Sequence, residues 1–282
     1  MVGIHQGNAA DISAPEHDRT GRLIAFPGKV ETACPVQDAR TALILAIGQS
    51  NAGNHGASRE VTNHPEKVLN VFDGKCYVAA SPLLGATGEG GEFLTPLADR
   101  LIEDGLYDRV LIVAAAVGGT PIVRWQKGGD LNEHALAVLK ALPTGYRVTE
   151  VIWHQGESDR DLGTSGAAYR ASFASLLGTL RDAGVDAPVF IGITTICGTA
   201  QGDGTDLERA QAALVDNRSV FLGVNADALL DAGDRQADHC HLSASGQRKV
   251  AAAYAAAIAK SRTGGAGLST VSAISASDPI RR

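Results

Sequence analysis

The sequence predicts an α/β protein in which helices cover both faces of a five-stranded parallel sheet. Three observations predict this fold. Five short apolar runs lack the alternation of half-exposed strands, as strands buried on both faces do. Segments with helical spacing separate these runs, and polar loops containing glycine follow them. Because right-handed crossovers join successive parallel strands, a doubly wound, three-layer α/β/α sandwich is expected.

The elements follow one another in a regular order. The predicted strands are 42–47, 109–117, 148–153, 188–196 and 219–224. The predicted helices are 95–103, 131–142, 165–183, 206–215 and 244–259. Thr95 is expected to cap the first helix and Ser243 the last, because both side chains accept backbone N–H bonds well. Residues 67–73 look like a short additional strand, and the glycine-rich run 85–91 is expected to border a cleft.

The two ends of the chain differ from its centre. Residues 1–40 show no sustained periodicity and are expected to form an irregular N-terminal extension. Residues 41–262 are expected to form a single enzyme-like domain. From residue 261 the chain is rich in small residues, and 263–282 are expected to be a flexible tail.

Composition narrows the classes of partner. The chain has 282 residues, a formal net charge of −6 and 20% charged residues, without a basic stripe, which disfavours nucleic acid as a partner. No apolar run approaches the roughly 20 residues that a membrane helix needs, so no membrane partner is expected. The first ten residues lack the pattern of a secretory signal. We therefore expect a cytoplasmic protein unless a leader has been removed, and the oligomeric state stays open.

Four cysteines, widely spaced, form no Cys-x-x-Cys pair. They are Cys34, Cys76, Cys197 and Cys240. This spacing argues against a zinc ribbon or a thioredoxin-type motif. Free structural cysteines are expected, and two disulfides are the alternative if the protein is exported.

Ser50 is the candidate nucleophile. It follows the buried strand 42–47 in a turn that contains Gly48 and Gly53, and open α/β sheets bind ligands at the carboxyl ends of their strands. A serine hydroxyl is a weak nucleophile without a base and without donors for the oxyanion. An ordinary turn is therefore the alternative unless the chain supplies both.

Two further loops can supply the donors. Gly118 and Gly119 follow the second predicted strand, and Gln155 follows the third. Since these strand ends lie at one edge of a parallel sheet, the loops should converge on Ser50. The N–H group of Ser50, the N–H groups of the glycines in the second loop and the amide of Gln155 form the expected oxyanion hole.

The base is expected just before the last helix. Asp238 and His241 are three residues apart, a spacing that lets the carboxylate fix the tautomer of the imidazole in a tight turn. A metal cluster is disfavoured because four neighbouring residues rarely reach one ion, so no metal or cofactor is expected. Cys240 is a weaker candidate nucleophile because no second loop is organised around it.

Other polar residues near these loops have open roles. Asn51, Glu157, Arg124 and Trp125 are candidate substrate contacts. Glu157 could instead orient the Gln155 loop or bond to backbone N–H groups, and Trp125 could instead pack against the sandwich. Of the other side chains there, Asp159 is a further acid near the site, whereas His154 and His239 are expected to be bystanders.

The motifs together carry a resemblance to a known family. The sequences Gly-Gln-Ser-Asn at 48–51, Gly-Gly-Thr at 118–120, Trp-His-Gln-Gly-Glu-Ser-Asp at 153–159 and Asp-x-x-His at 238–241 resemble the sialate O-acetylesterase and family 6 carbohydrate esterase branch of the SGNH hydrolases. The resemblance spans about 42–260. At position 155 this chain has glutamine, as this branch does, whereas the wider superfamily has asparagine.

The resemblance implies a flavodoxin-like sandwich and metal-free removal of acetyl groups from sugars through an acetyl-serine intermediate. It makes Ser50 the nucleophile, His241 the base and Asp238 its partner. It also implies that the oxyanion donors are the N–H of Ser50, the N–H of Gly118, with Gly119 as second choice, and the amide of Gln155. The expected substrate is an acetylated sugar or polysaccharide. Two alternatives use the same fold: a catalytically silent carbohydrate-binding protein, and an acyltransferase that passes the acyl group to a sugar.

Overall fold

A computed structural model describes residues 13–198 and 206–265 of the chain. The strands are β1 (Glu16–His17), β2 (Leu23–Ala25), β3 (Glu31–Thr32), β4 (Thr41–Gly48), β5 (Val68–Phe72), β6 (Lys75–Val78), β7 (Arg109–Ala114), β8 (Glu150–His154), β9 (Val189–Ile193) and β10 (Val220–Asn225). The helices are α1 (Leu94–Glu103), α2 (Asp130–Lys140), α3 (Glu157–Asp161), α4 (Gly166–Asp182), α5 (Asp206–Ala212), α6 (Ala226–Leu229) and α7 (Ala244–Gly265).

The central sheet has eight strands in the order β10-β9-β8-β4-β7-β5-β6-β3. The strands from β10 to β5 run parallel, and β6 and β3 are antiparallel additions at one edge. The predicted α/β sandwich is confirmed, and all five predicted strands are present. Among the five predicted strands, β4 is the first and lies between β7, the second, and β8, the third, which is the flavodoxin order. The sheet is larger than the five predicted strands, because β5 adds a parallel strand beside β7, and β6 and β3 add two antiparallel strands.

The two faces of β4 explain the three layers. Leu43, Leu45 and Ile47 pack in the cluster that includes side chains of α2, α4 and α5, and the alternate residues, among them Ile44, pack with α1 and α7. All four side chains are at most 1% exposed. Each buried side chain of this size contributes about 1.5–3 kcal/mol relative to exposure, so β4 is bound on both faces.

Helix ends show which capping predictions hold. Ser243 caps α7, since its Oγ accepts the N–H of Gly246. The prediction that Thr95 caps α1 is wrong, because Thr95 lies inside the first turn and donates its N–H and hydroxyl to the buried carboxylate of Glu92. The last helix continues to Gly265, beyond its predicted end, and residues 266–282 lie outside the described part.

None of the helices in the two described ranges is long and apolar enough to cross a membrane.

The described part of the N-terminal extension is attached to the domain. Residues 13–40 contain the hairpin of β1 and β2 and the edge strand β3. Leu23 in β2 is fully buried, and its N–H donates to the carbonyl of Ala86. Only residues 1–12 of the extension lie outside the described part.

All four cysteines form disulfides, so the prediction of free cysteines is wrong. Cys34 pairs with Cys76, because the antiparallel pairing of β3 with β6 brings the two segments side by side. Cys197 pairs with Cys240 and joins the loop after β9 to the loop before α7. Neither pairing has a local sequence signal, since each depends on tertiary contacts.

Candidate active site

Ser50 lies just beyond the carboxyl end of β4, between β7 and β8. The turn needs glycine at position 48, where φ is 131° and a Cβ atom would lie 2.2 Å from the carbonyl oxygen of His154. The N–H of Gln49 then donates to this same carbonyl at 3.1 Å. Because Gly48 lets the chain pass this close to β8, Ser50 can begin a short 3-10 turn at the edge of the sheet.

A cleft at this edge brings most of the predicted site together. Ser50, Gly118, Gly119 and His241 line it, as predicted from the loops that carry them. The remaining lining residues are Gly21, Gln49, His55, Thr87, Gly88, Glu157, Ser158, Asp161, Cys197 and Cys240. Ser50 is 5% exposed, and its hydroxyl makes no hydrogen bond within residues 13–198 and 206–265.

Asp238 and His241 form the predicted pair. Nδ1 of His241 lies 2.6 Å from Oδ2 of Asp238, and Oδ1 accepts the N–H groups of Cys240 and His241 at 2.9 and 3.0 Å. Burial acts to raise the pKa of Asp238, but these bonds outweigh it and hold the pKa below its ordinary value. With an ionised Asp238 on Nδ1, the proton occupies Nδ1 and Nε2 is the basic nitrogen.

Asn51 fastens the loop of His241 to the loop of Ser50. Its Nδ2 donates to the carbonyl of Cys240 at 3.2 Å, and its Oδ1 accepts the N–H of Leu242 at 3.2 Å. These two residues flank His241. Asn51 is 2% exposed and does not line the cleft, so the expectation that it contacts substrate is corrected: its amide is used inside the protein.

In the loop after β7, the expected oxyanion donor was the N–H of Gly118, but this group is already bonded. The N–H of Gly118 donates to Oγ1 of Thr87 at 2.7 Å, so it is not free for an oxyanion. Within the described residues, the N–H groups of Ser50 and Gly119 have no acceptor, and both residues line the cleft. The geometry therefore favours Gly119, the second choice, over Gly118.

Gln155 does not line the cleft, contrary to its predicted role. It is fully buried, and its Nε2 lies 3.2 Å from Oε1 of Gln49, 3.1 Å from the carbonyl of Thr120 and 2.5 Å from Oδ2 of Asp159. Tyr169 donates to its Oε1 at 3.0 Å. Since every polar atom of its side chain has a partner, the amide connects three loops and offers no N–H group to an oxyanion.

Glu157 is buried beneath the cleft at the start of α3. Its Oε1 accepts Nδ2 of Asn51 at 2.9 Å and the hydroxyl of Thr194 at 3.0 Å, and its buried Oε2 has no partner within the described residues. Burial raises the pKa of this carboxyl group. Glu157 lines the cleft but is 1% exposed, so most of its side chain supports Asn51.

Arg124 and Trp125 do not contact the cleft, which corrects their expected role. Trp125 is fully buried with its ring edge-on to Trp153, and its Nε1 donates to Oγ1 of Thr120. Arg124 forms a two-point ion pair with Asp130 at the protein surface. Of the two interpretations of Trp125, packing against the sandwich agrees with the structure.

The neighbouring histidines and acids have other partners. His154 is fully buried, its Nδ1 lies 3.0 Å from the hydroxyl of Tyr254, and burial lowers its pKa to about 3. His239 is exposed. Asp159 accepts the N–H of Ile122 at 2.7 Å, and Cys240 has no thiol because it is oxidised.

Two cleft residues were missed from the sequence. His55 follows Ser50 by five positions, and Thr87 lies within the glycine-rich run 85–91. That run was expected to border the cleft, which Thr87 and Gly88 do. The one available signal for His55 was its place in the Ser50 loop.

Comparison with known proteins gives the following matches. Residues 40–260 match the family model described as "carbohydrate esterase, sialic acid-specific acetylesterase". No curated protein matches the chain by sequence. Among solved structures, a protein from Arabidopsis thaliana is 19% identical with a TM-score of 0.58, over 78% of this chain and 97% of that one.

Two further solved structures are similar. NanS is 16% identical with a TM-score of 0.56, over 79% of this chain and 98% of that one. A carbohydrate acetylesterase from Xanthomonas citri is 20% identical with a TM-score of 0.51, over 79% of this chain and 56% of that one. At such identities these likenesses show a shared fold. The family model matches well over half of the chain, and the chain therefore belongs to the carbohydrate esterase family of sialic acid-specific acetylesterases.

Proposed function

We propose that this protein is a serine esterase that removes O-acetyl groups from a carbohydrate through an acetyl-serine intermediate. The observation that carries the proposal is the Asp238–His241 pair, 2.6 Å apart, in a cleft that Ser50 also lines. A hydroxyl beside an oriented imidazole is the arrangement that nucleophilic acyl transfer needs. Membership of the carbohydrate esterase family supports an acetylated sugar as the substrate.

The first half of the reaction forms the intermediate. Oγ of Ser50 attacks the acetyl carbonyl carbon while Nε2 of His241 takes the hydroxyl proton. The N–H groups of Ser50 and Gly119 donate to the oxyanion that develops. The carbon–oxygen bond to the sugar then breaks, and His241 returns its proton to the leaving sugar oxygen, so that the acetyl group stays on Ser50.

The second half releases acetate. A water molecule attacks the acetyl carbon of the intermediate, and His241 takes a proton from it. When the bond to Ser50 breaks, His241 gives this proton to Oγ and restores the free enzyme. Asp238 keeps its negative charge throughout and stabilises the imidazolium form of His241 in both halves.

Acetate release tests this proposal. Wild-type protein should release acetate from at least one of acetylated sialic acid, acetylated xylan and acetylated peptidoglycan fragments, and should hydrolyse 4-nitrophenyl acetate in the presence of a chelator. Ser50→Ala should lower turnover by roughly 10⁴- to 10⁶-fold. Ser261→Ala, near the carboxyl end of α7, is the control and should retain activity. Equal activity of wild type and Ser50→Ala would refute the proposal.

A further inference from the structure

His55 lies against the imidazole of the proposed base. The rings of His55 and His241 are stacked with their centroids 5.3 Å apart and their planes 19° from parallel. Both residues line the cleft, and His55 belongs to the loop that also carries Ser50. The ring of His55 therefore limits how far His241 can turn on one of its faces.

The same ring is connected through Thr87 to the loop that carries the oxyanion donor Gly119. Nε2 of His55 lies 3.1 Å from Oγ1 of Thr87, and this oxygen accepts the N–H of Gly118 at 2.7 Å. Because Thr87 uses its oxygen for Gly118, its hydroxyl proton is available for His55. Burial lowers the pKa of His55 to about 4, with a smaller contribution from His241, so the ring is neutral and can accept this proton.

The backbone of His55 is tied to the His241 loop as well. Its carbonyl accepts Nε2 of Gln236 at 2.7 Å, and the N–H of Gln236 donates to the carbonyl of His241 at 2.7 Å. Nε2 of Gln236 also contacts the carbonyl of Leu242 at 3.2 Å. His55 thus has three separate connections, two to the base loop and one to the loop of Gly118.

We propose that His55 is a positioning residue that, through ring stacking and its bond to Thr87, keeps His241 and the Gly118–Gly119 loop in register around Ser50. This inference rests on the proposed function. A neutral ring suits the position, because His241 gains a positive charge in each half of the reaction and a second cation there would oppose it. His55 itself transfers no proton.

Four substitutions separate the two contacts of the ring. His55→Phe keeps a ring that can stack but loses the bond to Thr87, and His55→Ala loses both contacts. Thr87→Val removes the hydroxyl, whereas Thr87→Ser keeps it. Turnover of 4-nitrophenyl acetate, KM and the thermal midpoint are measured for each variant and for the His55→Phe, Thr87→Val double variant. His64→Gln, whose histidine faces Glu103 outside the cleft, is the control.

His55→Ala should lower kcat by about 10- to 100-fold, the cost of misplacing a catalytic group, with KM and thermal midpoint near those of wild type. His55→Phe and Thr87→Val should each cause part of this loss, and the double variant should lose no more than the worse single variant, because both break one chain of contacts. Thr87→Ser, which keeps the hydroxyl, should lose less kcat than Thr87→Val, and His64→Gln should match wild type. If His55→Ala does not fold, His55→Phe and Thr87→Val carry the test.

Three results would overturn the inference: unchanged kcat in His55→Ala, a raised KM at unchanged kcat, or multiplying losses in the double variant. A raised KM would make His55 a substrate contact, and multiplying losses would mean that Thr87 and His55 act separately. In each case an active wild type leaves the esterase proposal intact. A wild type that hydrolyses no ester and is not labelled at Ser50 by a fluorophosphonate, which reacts with activated serines, would refute the proposed function, and the inference with it.

Discussion

Asn51 shows how one buried side chain can set the position of a catalytic group that it does not touch. Its amide bonds to the backbone on both sides of His241, at Cys240 and Leu242. Asn51→Ala leaves these buried groups unpaired, which should cost about 1–3 kcal/mol of the free energy of unfolding. It should also lower kcat more than it changes KM, because His241 loses its fixed place. Urea unfolding and steady-state kinetics measure the two effects.

Asn54 provides a matched control in the same loop. It is 1% exposed, and its side chain bonds to both backbone groups of Leu83, with no bond to the base loop. Asn54→Ala should therefore lose similar stability while keeping kcat at temperatures at which the protein is folded. Equal losses of kcat in the two variants would contradict the role given to Asn51.

The buried carboxyl group of Glu157 should make the free energy of unfolding depend on pH. Burial raises its pKa in the folded protein above the ordinary value of 4.5, so folded protein holds the proton at pH values at which unfolded chain has lost it. The contribution of Glu157 is thus fully present below about pH 4.5 and falls as the pH rises toward the folded pKa. The glutamine of Glu157→Gln does not ionise, so any effect of its amide on the free energy of unfolding is the same at every pH.

The difference in unfolding free energy between Glu157→Gln and wild type should therefore grow in favour of the variant from about pH 4 to about pH 8, by about 1.4 kcal/mol for each unit by which the pKa is raised. Urea titrations at several pH values measure it. A difference that stays constant across this range would show that the carboxyl group titrates as it does in the unfolded chain.

At the scale of single residues, the sequence predicted contacts between residues that are close together in the chain. The three-residue separation of Asp238 and His241 was sufficient to predict their bond, because a tight turn fixes it. Gln155 and Gly118 were misjudged, because distant segments supply the acceptor of the Gly118 N–H and two of the three acceptors of the Gln155 amide, Gln49 and Thr120. Thr87, which takes the N–H of Gly118, lies 31 positions away.

The two disulfides connect different pairs of elements and should have different effects. They close segments of similar length, with separations of 42 and 43 residues, so each should contribute a similar stabilisation of about 2–4 kcal/mol. Only the Cys197–Cys240 bond adjoins His241 and lines the cleft. Replacing both of these cysteines by serine should lower stability and kcat, because the base loop loses its covalent connection to the loop after β9.

Replacing Cys34 and Cys76 by serine is the matched comparison, since this bond lies where β3 pairs with β6. It should lower the unfolding free energy and leave kcat unchanged. Thermal unfolding and 4-nitrophenyl acetate hydrolysis of both double variants test this contrast. Unchanged kcat in the Cys197, Cys240 variant would show that the disulfide does not position His241.

Among the elements, strands with continuous apolar runs were predictable and the short antiparallel edge strands were not. β4, β7, β8 and β9 are buried on both faces almost throughout and therefore have apolar sequences. β10, at the other edge of the sheet, also has an apolar run, although Leu222 is 41% exposed. β3 and β6 carry exposed charged residues and are strands because each pairs with a neighbour. Pairing of this kind, like the disulfides, depends on contacts that no local pattern records.

For the whole molecule, the strand order determines where the site can form. β4 lies at the centre of the parallel strands, with β7 on one side and β8 on the other, so the loops after all three strands meet at one edge. The last contribution comes from the far end of the chain, since the bond from Leu242 to Asn51 spans 191 positions. The site thus requires the complete sheet and the correct docking of α7.

The order of the central strands was expected only from the family resemblance, whereas the convergence of their loops followed from the strands themselves. Parallel strands place their carboxyl ends at one edge whatever their order, so the loops of Ser50 and Gly119 were expected to meet, and His241 was expected to join them as the base. Which strand lies beside β4 depends on how the helices pack on the two faces of the sheet, and no local sequence pattern indicates this packing.

The most direct test of the account is covalent labelling of Ser50 with a fluorophosphonate, followed by mass spectrometry of the labelled peptide. A serine activated by His241 should take up one phosphonyl group at position 50, and His241→Ala should label much more slowly although it remains folded. Labelling of wild type at another residue, or labelling at Ser50 that is equally fast in His241→Ala, would contradict the claim that Ser50 and His241 act together.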